Sequence, residues 1–454
     1  NLHYFDCLNA KGAETREKWH RNFISQWIAE NPPCFGVGWE PYPLSLRITN
    51  WIKWALAGNA LDETARHSLA VQVRFLARRL ERHLLGNHLF SNAKALVFAG
   101  CYFDGDEATG WLRLGMQTLE NEVLEQILED GGHFERSTMY HALAYEDMLD
   151  LVNLMGAYPE RLEPWKASLT SWPAIISKMG GWLDTMLHPD GEIAFFNDAA
   201  IGVSPSPSRL FAYAGRLGLP PVINDEKVVR LDQSGYIRAA LGPAVLLIDA
   251  APVGPDHLPA HAHADTLSFE FSLFNQRVVV NSGTSCYELG SVREWERSTS
   301  AHSTLEIDGK NSSEVWASFR VARRAYPLDV SVKYKRDAVV IEAAHDGYQR
   351  LLGRPVHRRR WVLDERSLEV SDFVEGRYSS AIARVHFHPD IKLKQDGGVV
   401  GAVKWRDHTI DWQADAKTVA IKPSYWSPEF GLQQDNVCLE ITVSKGRANF
   451  SLRW

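Results

Sequence analysis

The chain has no apolar run approaching the ~18–20 residues that carry a helix across a bilayer, so no membrane span is expected. It has no CxxC pair: its five cysteines, Cys7, Cys34, Cys101, Cys286 and Cys438, are scattered. An odd, dispersed set reads as buried thiols, not as a disulfide framework or a zinc ribbon. A basic excess is also lacking, since 49 Lys and Arg stand against 56 Asp and Glu for a net charge of −7. That disfavours a general nucleic-acid binder, and an anionic ligand would need a local basic cleft. No nucleotide-binding glycine motif or redox signature occurs, so no organic cofactor is expected. The opening Asn1-Leu2-His3-Tyr4-Phe5-Asp6 has no basic segment followed by an apolar one, so it does not read as a signal peptide.

What is present is an ordinary folded composition, 45% hydrophobic and 23% charged over 454 residues, long enough for two or three domains. The 16 Trp and 14 Tyr are a further hint, because flat aromatic faces line sugar clefts as well as cores. The first half reads as successive amphipathic helices. Glu63 to Leu85 places Leu69, Val73, Leu76, Leu80 and Leu84 at spacings of three and four. Ala93 to Phe103, Trp111 to Leu128, Tyr140 to Met155 and Trp165 to Leu187 repeat the pattern, with no fixed-period repeat. The second half reads as short strands: Val245–Ile248, Leu267–Phe274, Val278–Val280, Val330–Val332, Val339–Ile341, Trp361–Leu363, Ile382–Phe387, Thr418–Ile421 and Leu439–Val443. Strands without long intervening helices imply an antiparallel sandwich. The predicted boundary falls in the stretch Gly218 to Asp232, giving a helical domain over 1–225 and a sheet domain over 226–454.

The chemistry concentrates in a few polar segments. His261-Ala262-His263-Ala264-Asp265 follows a Pro/Gly-rich loop and leads into the strand at Leu267. Imidazole is a common metal ligand and general base, so one histidine is a candidate for each task. The dinuclear zinc pattern His-x-His-x-Asp-His is not met, because Thr266 stands where its last His belongs. Asn281 ends a buried strand, and His302 precedes another; both converge with His263 if those strands are neighbours. An amide oxygen is a poorer zinc ligand than a carboxylate, so such a site is weaker or more calcium-like. Equally, Asn281 reads as a turn residue. In the helical half, Asn87 of Gly86-Asn87-His88-Leu89-Phe90 reads as an N-cap. Asp130-Gly131-Gly132-His133-Phe134-Glu135-Arg136-Ser137 runs into a helix that Ser137 would cap, with Tyr140 in its first turn and His141 after it.

Taken in order along the chain, these motifs resemble the heparinase II/III-like polysaccharide lyases, which include heparinases and related alginate lyases. The resemblance rests on Asn87-His88, on Asp130 to Glu135 with Tyr140-His141, on His261 to Asp265, on Asn281-Ser282-Gly283-Thr284 and on His302-Ser303-Thr304. It implies an α+β multidomain chain, an N-terminal incomplete α/α toroid followed by a C-terminal antiparallel β-sandwich, with the cleft between them. It assigns Asn87, or His88 beside it, to neutralising a uronate carboxylate. Tyr140 matches the tyrosine that protonates the leaving oxygen and also serves as base, and His261 matches the base or its helper. His263 and His302 match two ligands of one structural divalent metal, and Asn281 stands where the third is usually Asp. Glu135, Arg136, Arg293 and Arg297 lie beside the motifs as candidate substrate-binding residues.

The expected activity is therefore β-elimination on an anionic, uronate-containing polysaccharide of glycosaminoglycan or alginate type. Such polymers lie outside the cytoplasm, so a periplasmic or secreted location is expected. Two alternatives stand beside it. A glycoside hydrolase on the same toroid needs two cleft carboxylates, for which Glu135, Asp190 and Glu192 are candidates. A non-catalytic glycan-binding protein would need no proton-transfer pair.

Overall fold

The computed structural model describes residues 2–454. It contains two compact units, Asn1–Gln126 with Asp147–Ala174, and Ile127–Glu146 with Ile175–Trp454. The change from helices to strands comes at Val228, where the first strand begins. The packing boundary is different: the segment 127–146 joins the unit that contains the sheets.

The first unit is helical. Its central helix, Gly86–Tyr102, is buried along almost its whole length and packs on Asp106–Gln126 and Pro41–Leu56. Small residues make this approach possible. A Cβ on Gly100 would sit 2.6 Å from the Leu112 side chain, and one on Gly115 would sit 2.8 Å from the Ala93 carbonyl oxygen. The one buried lysine of that helix, Lys94, reaches Asp147 at 2.6 Å and Asp150 at 2.5 Å, so its charge is paired. The helix predicted over Glu63 to Leu85 ends at Ala77, and Leu84 is exposed. Helices Glu17–Glu30 and Pro41–Leu56 were not expected from the apolar pattern. In the latter, Pro41 opens the first turn, where its missing N–H costs nothing.

The second unit carries two antiparallel sheets of nine and eight strands. The nine-stranded sheet runs Val228–Leu231, Tyr236–Leu241, Ala244–Asp249, Phe269–Leu273, Gln276–Val279, Ala381–Phe387, Leu432–Thr442 and Thr418–Glu429, with Leu305–Ile307 paired to Ala381–Phe387. The eight-stranded sheet runs Lys392–Gly397, Val400–Trp405, His408–Asp415, Arg447–Arg453, Ser367–Glu375, Val356–Leu363, Ala338–His345 and Pro327–Lys335. Phe271, Val279 and Leu439 of one sheet and Trp361, Trp412 and Leu452 of the other belong to one apolar core. The strand Val356–Leu363 shows why: His357, Arg359, Trp361 and Leu363 are buried while the residues between them are half-exposed. This is the helical region followed by an antiparallel β-sandwich that the sequence predicts.

Every expected strand is present, most of them longer than their apolar runs. Of those not expected, His408–Asp415 alternates exposed polar with buried apolar residues and has one face in solvent, and Lys392–Gly397 is exposed except at half-buried Leu393.

Candidate active site

The residues assembled around Tyr140 and His261 lie within the second unit. Its framework is the pair of segments 130–141 and 195–198, tied to the loop that carries His261. Asp130 anchors the first segment by accepting hydrogen bonds from the Ser234 N–H at 2.7 Å and the Ser234 hydroxyl at 2.9 Å. Ser137 is the N-cap of the helix Thr138–Ala157: its Oγ accepts from the Tyr140 N–H at 3.1 Å, as expected. The same hydroxyl donates to the Asp198 carbonyl. Tyr140 is thus fixed at both its backbone and its helix start. Asn197, in the left-handed region at φ 57, donates to the Arg136 carbonyl and accepts from the His263 N–H. One residue therefore joins the tyrosine segment to the histidine loop.

Asp198 is the hub. Its carboxylate is fully buried and accepts from His261 Nδ1 at 2.9 Å, from His263 Nε2 at 2.8 Å and from both terminal nitrogens of Arg293. Burial alone would raise its pKa. The Arg293 charge and the histidine and arginine hydrogen bonds outweigh burial and hold the carboxyl well below the usual range. An ionised carboxylate only accepts, so His261 donates from Nδ1, and in its neutral form its Nε2 is the lone pair. That nitrogen lies 3.8 Å from Glu135 Oε2. The imidazole rests on the Tyr140 ring, with centroids 3.9 Å apart. Tyr140 Oη in turn meets Tyr287 Oη at 3.0 Å. Burial first, then the Asp198 charge, pushes the Tyr287 phenol well above its ordinary pKa, so it stays protonated and can donate to Tyr140. The result is a proton acceptor and a phenol in contact, with their orientations set from behind.

Several expected residues fall elsewhere. Arg293 and Arg297 are not substrate-facing. Both are fully buried: Arg293 is spent on Asp198 and the Ser318 carbonyl, and Arg297 on the carbonyls of Ala262, Ala317 and Trp316. Their charge faces inward because it supports the site loops. Arg136 is half-buried, with Nε on the Ser234 carbonyl and Nη1 toward that of Phe134. Glu135 is buried beside His261. Asp190, a hydrolase candidate, is held by Arg277 at 2.6 and 3.1 Å. Glu192 is half-buried.

Asn87 does not cap its helix. The chain turns two residues earlier, with Leu85 at φ 60 as the cap residue and Gly86 at φ 57, which puts Asn87 inside the first turn, half-exposed. His88 and Asn87 belong to the helical unit.

The metal set is two-thirds formed. His302 donates from Nδ1 to the Ser298 carbonyl at 2.7 Å, and His263 donates from Nε2 to Asp198. Two lone-pair nitrogens, His263 Nδ1 and His302 Nε2, then face each other at 3.1 Å. Lone pairs turned together with carboxylate and carbonyl support behind them fit a cation held between two imidazoles. Asn281 fits less well. Its Nδ2 donates to the Phe195 carbonyl and its Oδ1 accepts from the Ser303 N–H, so it works as a junction of loops. Among the described residues, no three His, Cys, Asp or Glu side chains converge on a metal position.

Asp198, Asn197 and Tyr287 were missed at the sequence level. The signal available was a polar Asn197-Asp198 pair closing the apolar Ile193–Phe196 run.

With this geometry in view, the comparisons are decisive for the family. Residues 4–211 match the heparinase II/III N-terminus and residues 224–454 match the heparinase II/III-like C-terminal domain. The chain belongs to the heparinase II/III-like family. Its helical region and β-sandwich match the incomplete toroid and sandwich of a heparinase III crystal structure, with a TM-score of 0.79 at 19% identity over all of this chain and 76% of that one. Among curated relatives, it is 25% identical to FtsZ-localized protein C of Caulobacter vibrioides over 93% of this chain and 75% of that protein. It is also 25% identical to a heparin-sulfate lyase of Pedobacter heparinus, over 50% of this chain and 36% of that protein.

Proposed function

We propose that the chain is a polysaccharide lyase that cleaves a uronate-containing anionic polysaccharide, of glycosaminoglycan or alginate type, by β-elimination. The observation that carries this reading is the contact of Tyr140 with a His261 whose Nε2 is aimed by buried Asp198. Membership of a family that includes heparin-sulfate lyases supports it.

Elimination must remove a C5 proton next to a carboxylate, which is too weakly acidic at neutral pH unless the growing enolate charge is offset. Asn87, or His88 beside it, is the residue that the family resemblance gives that task, hydrogen bonding to the carboxylate more strongly as charge develops. His261 Nε2, or the Tyr140 oxygen, takes the C5 proton; a double bond forms between C4 and C5 as the C4–O bond breaks. Tyr140 donates its proton to the departing oxygen, and Tyr287 hydrogen-bonds the phenolate left behind. No water or nucleophile is consumed. Glu135 and Arg136 are the remaining candidates for contact with the sugar. A hydrolase needs two open carboxylates; Asp190 is tied to Arg277, and Asp198 is sealed behind His261.

A divalent ion, where bound, would be held by His263 and His302 and would brace the two loops that bear them, with no part in proton transfer. Two nitrogen donors suit zinc better than calcium, which prefers oxygen. With a neutral amide in place of a third anionic ligand, binding is weak. Chelation should therefore leave the protein folded, with Tm moved by only a degree or two, about what a loss near 0.5 kcal/mol gives. Unfolding on chelation would refute weak binding. The polymer's usual location supports a periplasmic or secreted protein.

The relative aligned over nearly the whole chain, FtsZ-localized protein C, is named for a location and not for an activity, so the second reading kept beside the lyase is a non-catalytic glycan-binding protein on the same scaffold. One experiment separates the readings: ultraviolet absorbance during incubation with heparan sulfate, chondroitin sulfate, hyaluronan and alginate. New unsaturated uronate supports the lyase and names its polymer. New reducing ends without that absorbance refute elimination. Retention on an immobilised polymer without cleavage supports the non-catalytic reading. Cleavage and retention should both weaken as salt rises, because the ligand is anionic.

A further inference from the structure

The helical unit holds a carboxylate–imidazole pair that the mechanism above does not use. Glu81 lies in the short connection between the helices Glu63–Ala77 and Gly86–Tyr102 and is 6% exposed. Its Oε1 meets His88 Nδ1 at 3.0 Å. Its Oε2 accepts from Asn92 Nδ2 at 3.1 Å, and its backbone N–H donates to Asn92 Oδ1 at 2.8 Å. Asn92 Nδ2 is further tied to Ser45 Oγ at 3.0 Å. The carboxylate is therefore held by two side chains of the helix Gly86–Tyr102, and Asn92 also holds the Glu81 backbone. Tyr42, in the helix Pro41–Leu56, stacks on the His88 ring with centroids 4.4 Å apart and planes 23° apart. The ring plane and one ring nitrogen are thus fixed. His88 Nε2 has no hydrogen-bond partner among the described residues, and the side chain is 34% exposed.

We propose that Glu81 is a positioning residue: it holds His88 Nδ1–H turned inward, so that in the doubly protonated ring Nε2–H is the donor offered to the carboxylate of an anionic sugar. The physical reason is that a carboxylate can only accept, which sets the tautomer. When the ring carries a second proton, Nδ1–H stays on Glu81 and Nε2–H is free to donate to the sugar. The buried partner also spares the ring the entropy of searching for that orientation at binding. This inference rests on the assignment of His88 to the uronate carboxylate made under the proposed function.

The test pairs a spectroscopic readout with kinetics. In ¹⁵N-labelled wild type, at a pH where the ring is neutral, the His88 signals, identified by their loss in His88→Gln, should show Nδ1 protonated and Nε2 bare. In Glu81→Gln the amide can donate or accept, so the preference should disappear. kcat/KM for the cleaved polymer should then fall about tenfold, the value of one charge-assisted hydrogen bond, mostly through kcat because the bond strengthens as charge develops. Glu81→Asp, which keeps the charge, should fall between. A wild-type ring protonated on Nε2 overturns the proposal, and so does a folded Glu81→Gln with unchanged kcat/KM. The wild-type spectrum decides the matter alone if Glu81→Gln does not fold. If wild type cleaves no polymer, it is the lyase reading that fails, and the spectrum still decides the role of Glu81.

Discussion

Tyr140→Phe is expected to abolish eliminative turnover while leaving the protein folded and able to hold its polymer. The substitution removes one oxygen. The ring that rests on His261 at 3.9 Å remains, and so does the N-capped helix start that places it. What is lost in the ground state is the hydrogen bond with Tyr287 Oη, worth about 1 kcal/mol. What is lost in the transition state is the proton for the leaving oxygen, and a positioned general acid contributes roughly 10²–10⁴-fold. The expected result is a kcat reduced by at least two orders of magnitude, KM within a few fold of wild type, and a small change in Tm. Tyr287→Phe is the control: it removes the same hydrogen bond from the other side but leaves Tyr140 its proton, so its loss should be about tenfold or less, the worth of one hydrogen bond. Equal defects in the two variants would assign the role to the pair as a scaffold. Substantial unsaturated product from Tyr140→Phe would remove Tyr140 from the chemistry and leave His261 as the only proton-transfer residue.

How much of this was legible beforehand depends on what each feature needs. The helical half and the strand-rich half were legible because apolar spacing reports burial on one face, as at Leu69, Val73 and Leu76, all fully buried. The same rule overextended the helix past Ala77, because Leu80 and Leu84 continue the spacing after the backbone has turned toward Glu81. Tyr140 and His261 were legible as members of polar motifs. Their contact was not, since the chain between them is over a hundred residues long. Arg293 and Arg297 show the opposite failure. An arginine beside a motif reads as a ligand for an anion, and nothing local says that the anion is a buried aspartate of the same chain. Asp198 was missed for that reason: its partners come from residues 261, 263 and 293, and only the fold assembles them. Asn281 kept both of its sequence readings alive, and its two hydrogen bonds to loop backbone now favour the junction over the ligand.

Asp198→Asn should produce the largest loss of stability of any single change at the site, together with a loss of activity. The wild-type carboxylate is buried with Arg293, also fully buried. Replacing it by a neutral amide leaves a guanidinium without its counter-charge, and breaking one side of a buried pair typically costs about 3–5 kcal/mol. The Ser318 carbonyl remains to accept from Arg293, so the lower part of that range is expected. The double variant Asp198→Asn with Arg293→Met removes the stranded charge and should recover a good part of the stability, but not the activity. His261 Nδ1 would then face an amide that can offer either group, and Nε2 would no longer be reliably bare. Folding and catalysis therefore separate in the double variant, which a purely structural role for Asp198 does not predict. Acid should reproduce the first effect. The carboxyl of Asp198 is held well below its ordinary value, so its contribution is fully present above the unfolded value near pH 4 and disappears as pH falls through the lower folded value. Urea denaturation at pH 7 and at stepwise lower pH should show the gap between wild type and the single variant constant down to about pH 4 and closing below it. A gap that closed between pH 5 and 7 would mean that a histidine, not Asp198, controls the stability of the site.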